Sequence, residues 1–207
     1  MAPKLRPWSV ALWLLAWQGG SVALAAAVPG GGLLLASPVQ AVRRLLELLP
    51  SPVFWRAVGN SSARIFGGFL LSCGLALLLA ALAAGRPWLQ ELLAPPVAAV
   101  KATPVASFII LSLVWLDACS LSLFISALMV FPPVYLNVLE GLRGTDPKLL
   151  ELARVYRIPL GRRIRGIYMP QVLPYFRSAA SLALGLCWKA GAAAEVIGLP
   201  EGTIGER

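Results

Sequence analysis

Long stretches without a charged residue constrain this chain more than any other feature. Residues 7–42, 65–85 and 118–139 contain no Asp, Glu, Lys or Arg. A helix needs roughly 20 apolar residues to cross the hydrocarbon core of a bilayer, and each of these runs is long enough. Only 13% of the 207 residues are charged, which is about half of what a soluble domain carries. The sequence therefore predicts an all-α polytopic membrane protein.

About five transmembrane helices are expected, separated by charged or Gly/Pro-rich breaks. They cover approximately residues 8–28, 65–84, 93–116, 118–139 and 174–197, and Lys101 and several prolines interrupt the third. The stretch from Ser37 to Leu49 has a proline near its start and three charged residues, which favours an interfacial helix. The basic N-terminus resembles a signal peptide, but the first apolar run is long enough to span, so we expect a retained helix.

The distribution of charge predicts which side of the membrane each connection faces. Residues 140–177 hold eight Lys or Arg and three Asp or Glu, which is 8 − 3 = +5 of the net +9. Positive charge marks cytoplasmic connections, so this loop and the N-terminus are expected in the cytoplasm. Four arginines between residues 43 and 64 fit less well, since they fall in an outside connection. No nucleic-acid-binding motif accompanies the positive charge, and no nucleic acid partner is expected.

The basic loop itself contains a predicted pair of short amphipathic helices. Asp146 is a good N-cap and Pro147 a good first helical residue. Apolar residues then recur at helical spacing, at Leu149, Leu152, Ala153 and Tyr156. Pro159 and Gly161 are expected to stop this helix, and a second helix is predicted over about Arg162–Tyr168, ended by Pro170. Such short helices are not stable alone in water, so either the anionic lipid surface or a groove on a cytoplasmic protein must cover them.

The spacing within this loop resembles a known motif. Glu151-Leu152-Ala153, followed by Ile167 and Pro170, is similar to the EAA loop of bacterial ABC importer permeases. That family has Ala at the position of Leu152, Gly at the position of Arg157 and usually Leu at the position of Met169. In the family this loop docks on the ATPase subunit. The resemblance therefore implies an ATPase-coupling set formed by Asp146, Glu151, Ala153, Tyr156, Ile167 and Pro170.

The remainder of the chain resembles the branch of these permeases that imports nitrate, sulfonates, taurine and related small compounds. The supporting stretches are residues 51–55, 64–69, 104–108 and 185–190. The resemblance implies a MetI-like permease bundle in the bacterial inner membrane. It also implies a single transmembrane domain over residues 1–207, with a cytoplasmic coupling loop at about 140–173. The family has six spans, so the last one is expected to be missing here.

The resemblance also implies a function and a set of partners. The chain would be the permease subunit of an ABC importer for a small solute, with anionic compounds and vitamin precursors among the possible classes. Its partners would be a cytoplasmic ATPase, an extracytoplasmic solute-binding protein, a second permease copy and membrane lipid. The chain has no GxxxxGK[ST] motif for ATP, so we expect no cofactor and no enzymatic activity. A truncated, non-transporting protein of the same fold and a secondary carrier remain alternatives.

Two ionisable residues are predicted inside the fifth span. Lys189 and Glu195 are six residues apart and so about 240° apart around a helix, which places them on different faces. Ionisable groups in a membrane usually face protein or water, and each of the two is interpreted as a charge of the transport pathway or of the bundle. Lys101 has the same alternatives. With no histidine and three scattered cysteines, no metal site is expected.

Overall fold

The computed structural model describes residues 6–27 and 35–206, and the regular elements within them are all helical. They are α1 (Pro7–Ala27), α2 (Pro38–Leu48), α3 (Pro52–Ala84), α4 (Pro87–Ala102), α5 (Val105–Ser112), α6 (Ala118–Arg143), α7 (Pro147–Val155), α8 (Leu160–Arg163), a π-helical turn (Ile164–Tyr168), α9 (Met169–Gly198) and a 3₁₀ turn (Ile204–Glu206). Within the described residues, four helices are long and apolar enough to span a membrane, or five if the bent α4–α5 pair counts as one span. The predicted all-α fold with about five spans is confirmed.

The contacts divide the chain into two compact units, residues 1–55 and residues 56–207. In the first unit, two side chains of α1 hold the segment that precedes α2. Trp17 Nε1 donates to the Ala36 carbonyl at 3.0 Å, and Ser21 Oγ donates to the Leu35 carbonyl at 2.7 Å. Ser37 caps α2 in a reciprocal capping box with Gln40. The short amphipathic helix predicted here is confirmed.

In the second unit, small residues allow α3, α6 and α9 to pack closely. A Cβ on Gly68 would collide with the Leu123 carbonyl, and one on Gly191 would lie 2.6 Å from Ile65 Cγ1. Ser72 Oγ donates to the Ala127 carbonyl at 2.7 Å, which joins α3 to α6. Helices in lipid associate through such close contacts and interhelical hydrogen bonds because apolar burial alone does not favour their association.

The second and third predicted spans differ from the structure. The second was expected to start near Ile65, but α3 starts at Pro52 and has 33 residues, or about 50 Å of helix. It is longer than a membrane requires because its polar first turns remain helical. The third was expected over residues 93–116. Instead α4 begins at Pro87, and a break at residues 103–104 separates it from α5 with a bend of 105°.

The prediction that Pro170 ends a short second loop helix is wrong. Helix runs from Leu160 to Gly198 without interruption, so the fifth span is also longer than predicted. The π-helical turn explains this difference, since the Met169 N–H bonds to the Ile164 carbonyl five residues earlier. The wider turn surrounds Gly166, whose carbonyl would otherwise clash with the ring of Pro170. The helix can therefore continue through the proline.

Candidate functional site

Helix α7 is a nine-residue element with a defined start and a defined end. At its start, the Asp146 side chain accepts a hydrogen bond from the Lys148 N–H at 2.9 Å, as the sequence predicts. At its end, Arg157 adopts the left-handed conformation with φ of 48°. The Ile158 N–H bonds to the Ala153 carbonyl and the Arg157 N–H to the Arg154 carbonyl. This pattern is a Schellman motif, which normally has glycine at the left-handed position.

One side of α7 is fixed to the bundle. The Asp146 N–H donates to Gln171 Oε1 at 3.1 Å, which links the start of α7 to the first turn of α9. Ala153 is only 1% exposed. In the last turn of α6, Gly141 lies against the Tyr175 ring of α9, where a Cβ would approach ring carbon Cδ2 to 3.0 Å. Helix α7 is therefore tied to α9 at its N-cap residue, and it buries one side chain near its C-terminal end.

The other side of α7 exposes apolar side chains. Leu152 is 53% exposed, Val155 77% and Tyr156 72%. Glu151 is exposed beside them. The apolar stripe that the spacing predicts is therefore divided, with Ala153 turned inward and the larger members outward. A rigid helix with an exposed apolar face is suited to insertion into a groove on another protein.

The last two residues of the predicted coupling set lie on the continuous helix of residues 160–198. Ile167 is half-buried in the π-helical turn, and Pro170 is exposed in the first turn of α9. Pro170 directly precedes Gln171, the residue that holds the start of α7. The hydrogen bond from the Asp146 N–H to Gln171 Oε1 thus connects the part of the predicted coupling set around α7 to the part on the continuous helix.

The two predicted intramembrane charges have different environments. Lys189 is exposed on the surface of α9. Glu195 is 1% exposed, and its Oε2 accepts a hydrogen bond of 2.6 Å from Ser61 Oγ of α3. Ser61 Oγ in turn accepts from the Ile204 N–H at 3.0 Å. Glu195 Oε1 has no hydrogen-bond partner among the residues that the structure describes.

This buried carboxylate also lies against the segment that follows α9. Leu199 ends the helix in the left-handed conformation, and its N–H bonds to the Glu195 carbonyl at 2.8 Å. The segment then returns toward α3, where Asn60 Nδ2 donates to the Gly202 carbonyl at 3.1 Å. A Cβ on Gly205 would collide with the Glu195 backbone. Glu195 is therefore a junction between α3, α9 and residues 199–206.

Sequence reasoning did not identify three residues that organise these sites. Gln171 and Ser61 carry no local signal, because their partners are 25 and 134 residues away in sequence. Arg157 had a signal, since the resemblance places glycine at its position. The structure shows why glycine suits that position, which has a positive φ.

Comparison with known proteins gives a consistent result. Residues 74–207 match the family model described as binding-protein-dependent transport system inner membrane component. A putative aliphatic sulfonates transport permease protein from Bacillus subtilis is 31% identical over 81% of this chain and 61% of its own length. A riboflavin transport system permease protein from Chloroflexus aurantiacus is 27% identical over 87% of this chain and 66% of its own length. A putative aliphatic sulfonates transport permease protein from Escherichia coli is 29% identical over 96% of this chain and 75% of its own length. The chain thus spans about three-fifths to three-quarters of the length of these relatives.

Proposed function

Because the chain belongs to the family of binding-protein-dependent transport system inner membrane components, we propose that it is the permease subunit of an ATP-binding cassette importer. It is a multi-pass plasma-membrane protein whose relatives are transport permeases rather than enzymes. Energy for transport would come from a separate cytoplasmic ATPase. Substrate would come from an extracytoplasmic solute-binding protein, and two permease copies in surrounding lipid would form the pathway.

The geometry of α7 carries this proposal. The helix is held at its N-cap residue Asp146 and Ala153 is buried, while Leu152, Val155 and Tyr156 are exposed. An apolar face on a fixed helix can receive a force from a partner and pass it to the bundle. The Asp146–Gln171 hydrogen bond would pass that force to α9, and the short link after Arg143 would pass it to α6. Movement of the ATPase would then change the positions of two spanning helices together.

The cargo is proposed to be a small solute. The names of the relatives include aliphatic sulfonates and riboflavin, so both anionic compounds and vitamin-type compounds fall within the range of related permeases. Lys189 and Glu195 are proposed to act on the bundle or the pathway in different ways. Glu195 would hold α3 against α9, while the exposed Lys189 would face either the second permease copy or the pathway.

Co-purification with the ATPase tests the coupling role of α7. The permease is co-expressed with an ATP-binding cassette ATPase from the same organism, and the ATPase recovered with it from detergent extracts is quantified. Replacing Leu152 and Tyr156 with Ser removes two apolar contacts, each worth about 1 kcal/mol or more if central to the interface. Recovery of the ATPase is expected to fall at least tenfold, while the amount of permease in the membrane stays unchanged.

The matched control is Arg154→Gln, an exposed residue of the same helix that lies two residues from both Leu152 and Tyr156 and so about 160° around the helix from each. It is expected to recover as much ATPase as the wild type. Glu151→Lys supplies a second test that leaves the apolar residues in place, and it is also expected to lower recovery. Equal recovery by the wild type and by both the Leu152/Tyr156 and the Glu151 variants would contradict the proposal.

A further inference from the structure

An apolar groove lies between α3, α6 and the start of the continuous helix of residues 160–198. Its volume is about 320 Å³, and it is lined by Leu77 and Ala81 of α3, Val138 and Leu142 of α6, and apolar or aromatic side chains between residues 164 and 176. The groove is open to its surroundings, since Leu77 is 37% exposed and Met169, another lining residue, is 57% exposed. Such a groove suits a ligand that brings apolar surface of its own.

The groove has about the length of one leaflet of a bilayer. On the continuous helix its lining residues extend from Ile164 to Phe176, a distance of twelve residues or about 18 Å. One leaflet contributes half of a hydrocarbon core that is roughly 30 Å thick, or about 15 Å. The lining residues of α6 lie in its last two turns, just before the basic loop. The groove therefore runs from the loop end of the bundle over the length of one acyl chain.

Positive charge lies at the loop end of this groove. The Arg163 guanidinium lies over the ring of Tyr168, a lining residue, with Cζ 6.0 Å from the ring centroid. Arg143 and Arg165 each directly follow a lining residue in the chain, so the two Cα atoms are about 3.8 Å apart. In the part of the chain that the structure describes, no carboxylate oxygen lies within 4 Å of the guanidinium nitrogens of these three arginines. A negatively charged ligand group would therefore be favoured here.

An apolar groove with a positive end has the features of a site for an acidic lipid. An acyl chain fills the apolar part, and arginine binds a phosphate group through several N–H donors. The distribution of charge predicts that this end faces the cytoplasm, and basic pockets between spanning helices on that side bind acidic lipid headgroups. An apolar helix of a protein partner would cover the groove but would leave the arginines without a counter-charge. We propose that the groove binds one acidic glycerophospholipid of the cytoplasmic leaflet, with its headgroup phosphate at Arg163.

A lipid in this groove would lie beside the residues that hold the start of α7. Val172 lines the groove and directly follows Gln171, whose Oε1 accepts the Asp146 N–H. The bound lipid would therefore stabilise the first turns of α9, to which α7 is tied. This inference goes beyond the proposed function, since the site needs neither an ATPase nor a transported solute.

Native mass spectrometry of the full-length permease tests the preference for an acidic lipid. The protein is purified in detergent and titrated with phosphatidylglycerol or, separately, with phosphatidylcholine that carries the same acyl chains. One phosphatidylglycerol per chain is expected to bind at least tenfold more tightly than phosphatidylcholine, because only the former has a net negative charge. Equal affinity for the two lipids would overturn the inference.

Photo-crosslinking locates the bound lipid. Phosphatidylglycerol with a diazirine in the middle of one acyl chain is added to the permease and irradiated, and the labelled peptides are identified. Labels are expected within residues 77–81, 138–142 or 164–176, and excess unlabelled phosphatidylglycerol is expected to suppress them. A second permease copy or a partner helix in the groove would exclude the lipid. Absence of labels from all three segments would reveal such an occupant and overturn the inference.

Substitutions at the positive end assign the headgroup. Arg163→Gln is expected to weaken the apparent affinity for phosphatidylglycerol about fivefold, the loss expected for one basic residue at an acidic lipid surface. Arg163→Lys keeps the charge and is expected to retain most of the affinity. Arg154→Gln removes an exposed charge of α7 that adjoins no lining residue and is expected to bind like the wild type. Equal affinity in Arg163→Gln and Arg154→Gln would overturn the inference.

A substitution within the groove tests the acyl chain and leaves every arginine in place. Ala81→Phe fills part of the groove and is expected to weaken the affinity for phosphatidylglycerol at least tenfold. Ala63→Phe is the matched control, because Ala63 lies eighteen residues earlier on the same side of α3 and about 27 Å away. Both alanines are exposed. Equal affinity in the two variants would overturn the inference.

The lipid site and the importer function fail in different ways. Ala81→Phe is expected to recover the ATPase as well as the wild type does, because Ala81 belongs to α3 and not to α7. Normal recovery of the ATPase without a preference for phosphatidylglycerol would overturn the lipid site alone. Absence of the ATPase from wild-type extracts would contradict the importer function and leave the lipid measurement unaffected.

Discussion

At the scale of single residues, Arg157 is the clearest departure from a favourable local conformation. A non-glycine residue in the left-handed region costs roughly 1–2 kcal/mol, and Arg157 has a φ of 48°. The Schellman hydrogen bonds around it require that conformation. The family resemblance places glycine here, so this chain ends α7 with a less favourable residue at the same backbone geometry.

Replacing Arg157 with Gly is therefore expected to stabilise the end of α7. The gain from removing the strain is partly offset by the greater freedom of glycine in the unfolded state, which leaves about 0.5–1 kcal/mol. Hydrogen exchange of the Ile158 amide, which bonds to the Ala153 carbonyl, is expected to slow about two- to fivefold. Arg154→Gly, inside the same helix, is expected to accelerate it. Faster exchange in Arg157→Gly would show that the arginine side chain stabilises this end.

Glu195 is the second residue with a distinctive environment, since it is buried and receives the Ser61 hydroxyl at 2.6 Å. Glu195→Ala removes this acceptor and is expected to destabilise the bundle by about 1–3 kcal/mol. Glu195→Gln keeps an acceptor oxygen and is expected to cost less. Thermal unfolding in detergent measures both, and Lys189→Gln on the exposed surface of the same helix is the control.

A double-mutant cycle separates this hydrogen bond from general damage to the bundle. Ser61→Ala removes the donor to Glu195 and the acceptor of the Ile204 N–H. If the two side chains act together, the loss in the double variant is smaller than the sum of the two single losses. Strict additivity would mean that Glu195 and Ser61 stabilise the protein independently.

At the scale of elements, the sequence predicted the helix positions and helix starts that depend only on residues close together in the chain. Uncharged runs located α1, α6 and most of α3, and the Asp146-Pro147 pair located the start of α7, because spanning length and capping are local properties. The polar first turns of α3 concealed its true start. The continuous helix through Pro170 was also missed, since the π-helical turn that permits it leaves no periodic signal.

The candidate sites were predictable only in part, for the same physical reason. The motif around Glu151 and Ala153 singled out α7, but its spacing did not separate the buried Ala153 from the exposed Leu152 and Tyr156. The Asp146–Gln171 bond and the environment of Glu195 depend on which helices meet in three dimensions.

At the scale of the whole molecule, the orientation in the membrane decides whether α7 can meet a cytoplasmic partner at all. The charge rule places residues 140–177 inside the cell, whereas the four arginines between residues 43 and 64 oppose that assignment. Labelling of single cysteines tests it directly. The background is a variant with Cys119 replaced by Ala, because Cys119 is exposed while Cys73 and Cys187 are buried.

In that background, Arg154→Cys places a thiol on α7 and Asp117→Cys places one at the opposite connection, directly before α6; both native side chains are exposed. An impermeant maleimide is expected to label the Asp117 variant in intact cells, and to label the Arg154 variant only after the membrane is opened. Since α6 separates the two positions by one membrane crossing, opposite accessibility is required for a cytoplasmic α7. Labelling of the Arg154 variant in intact cells would place α7 outside and exclude its docking on an ATPase.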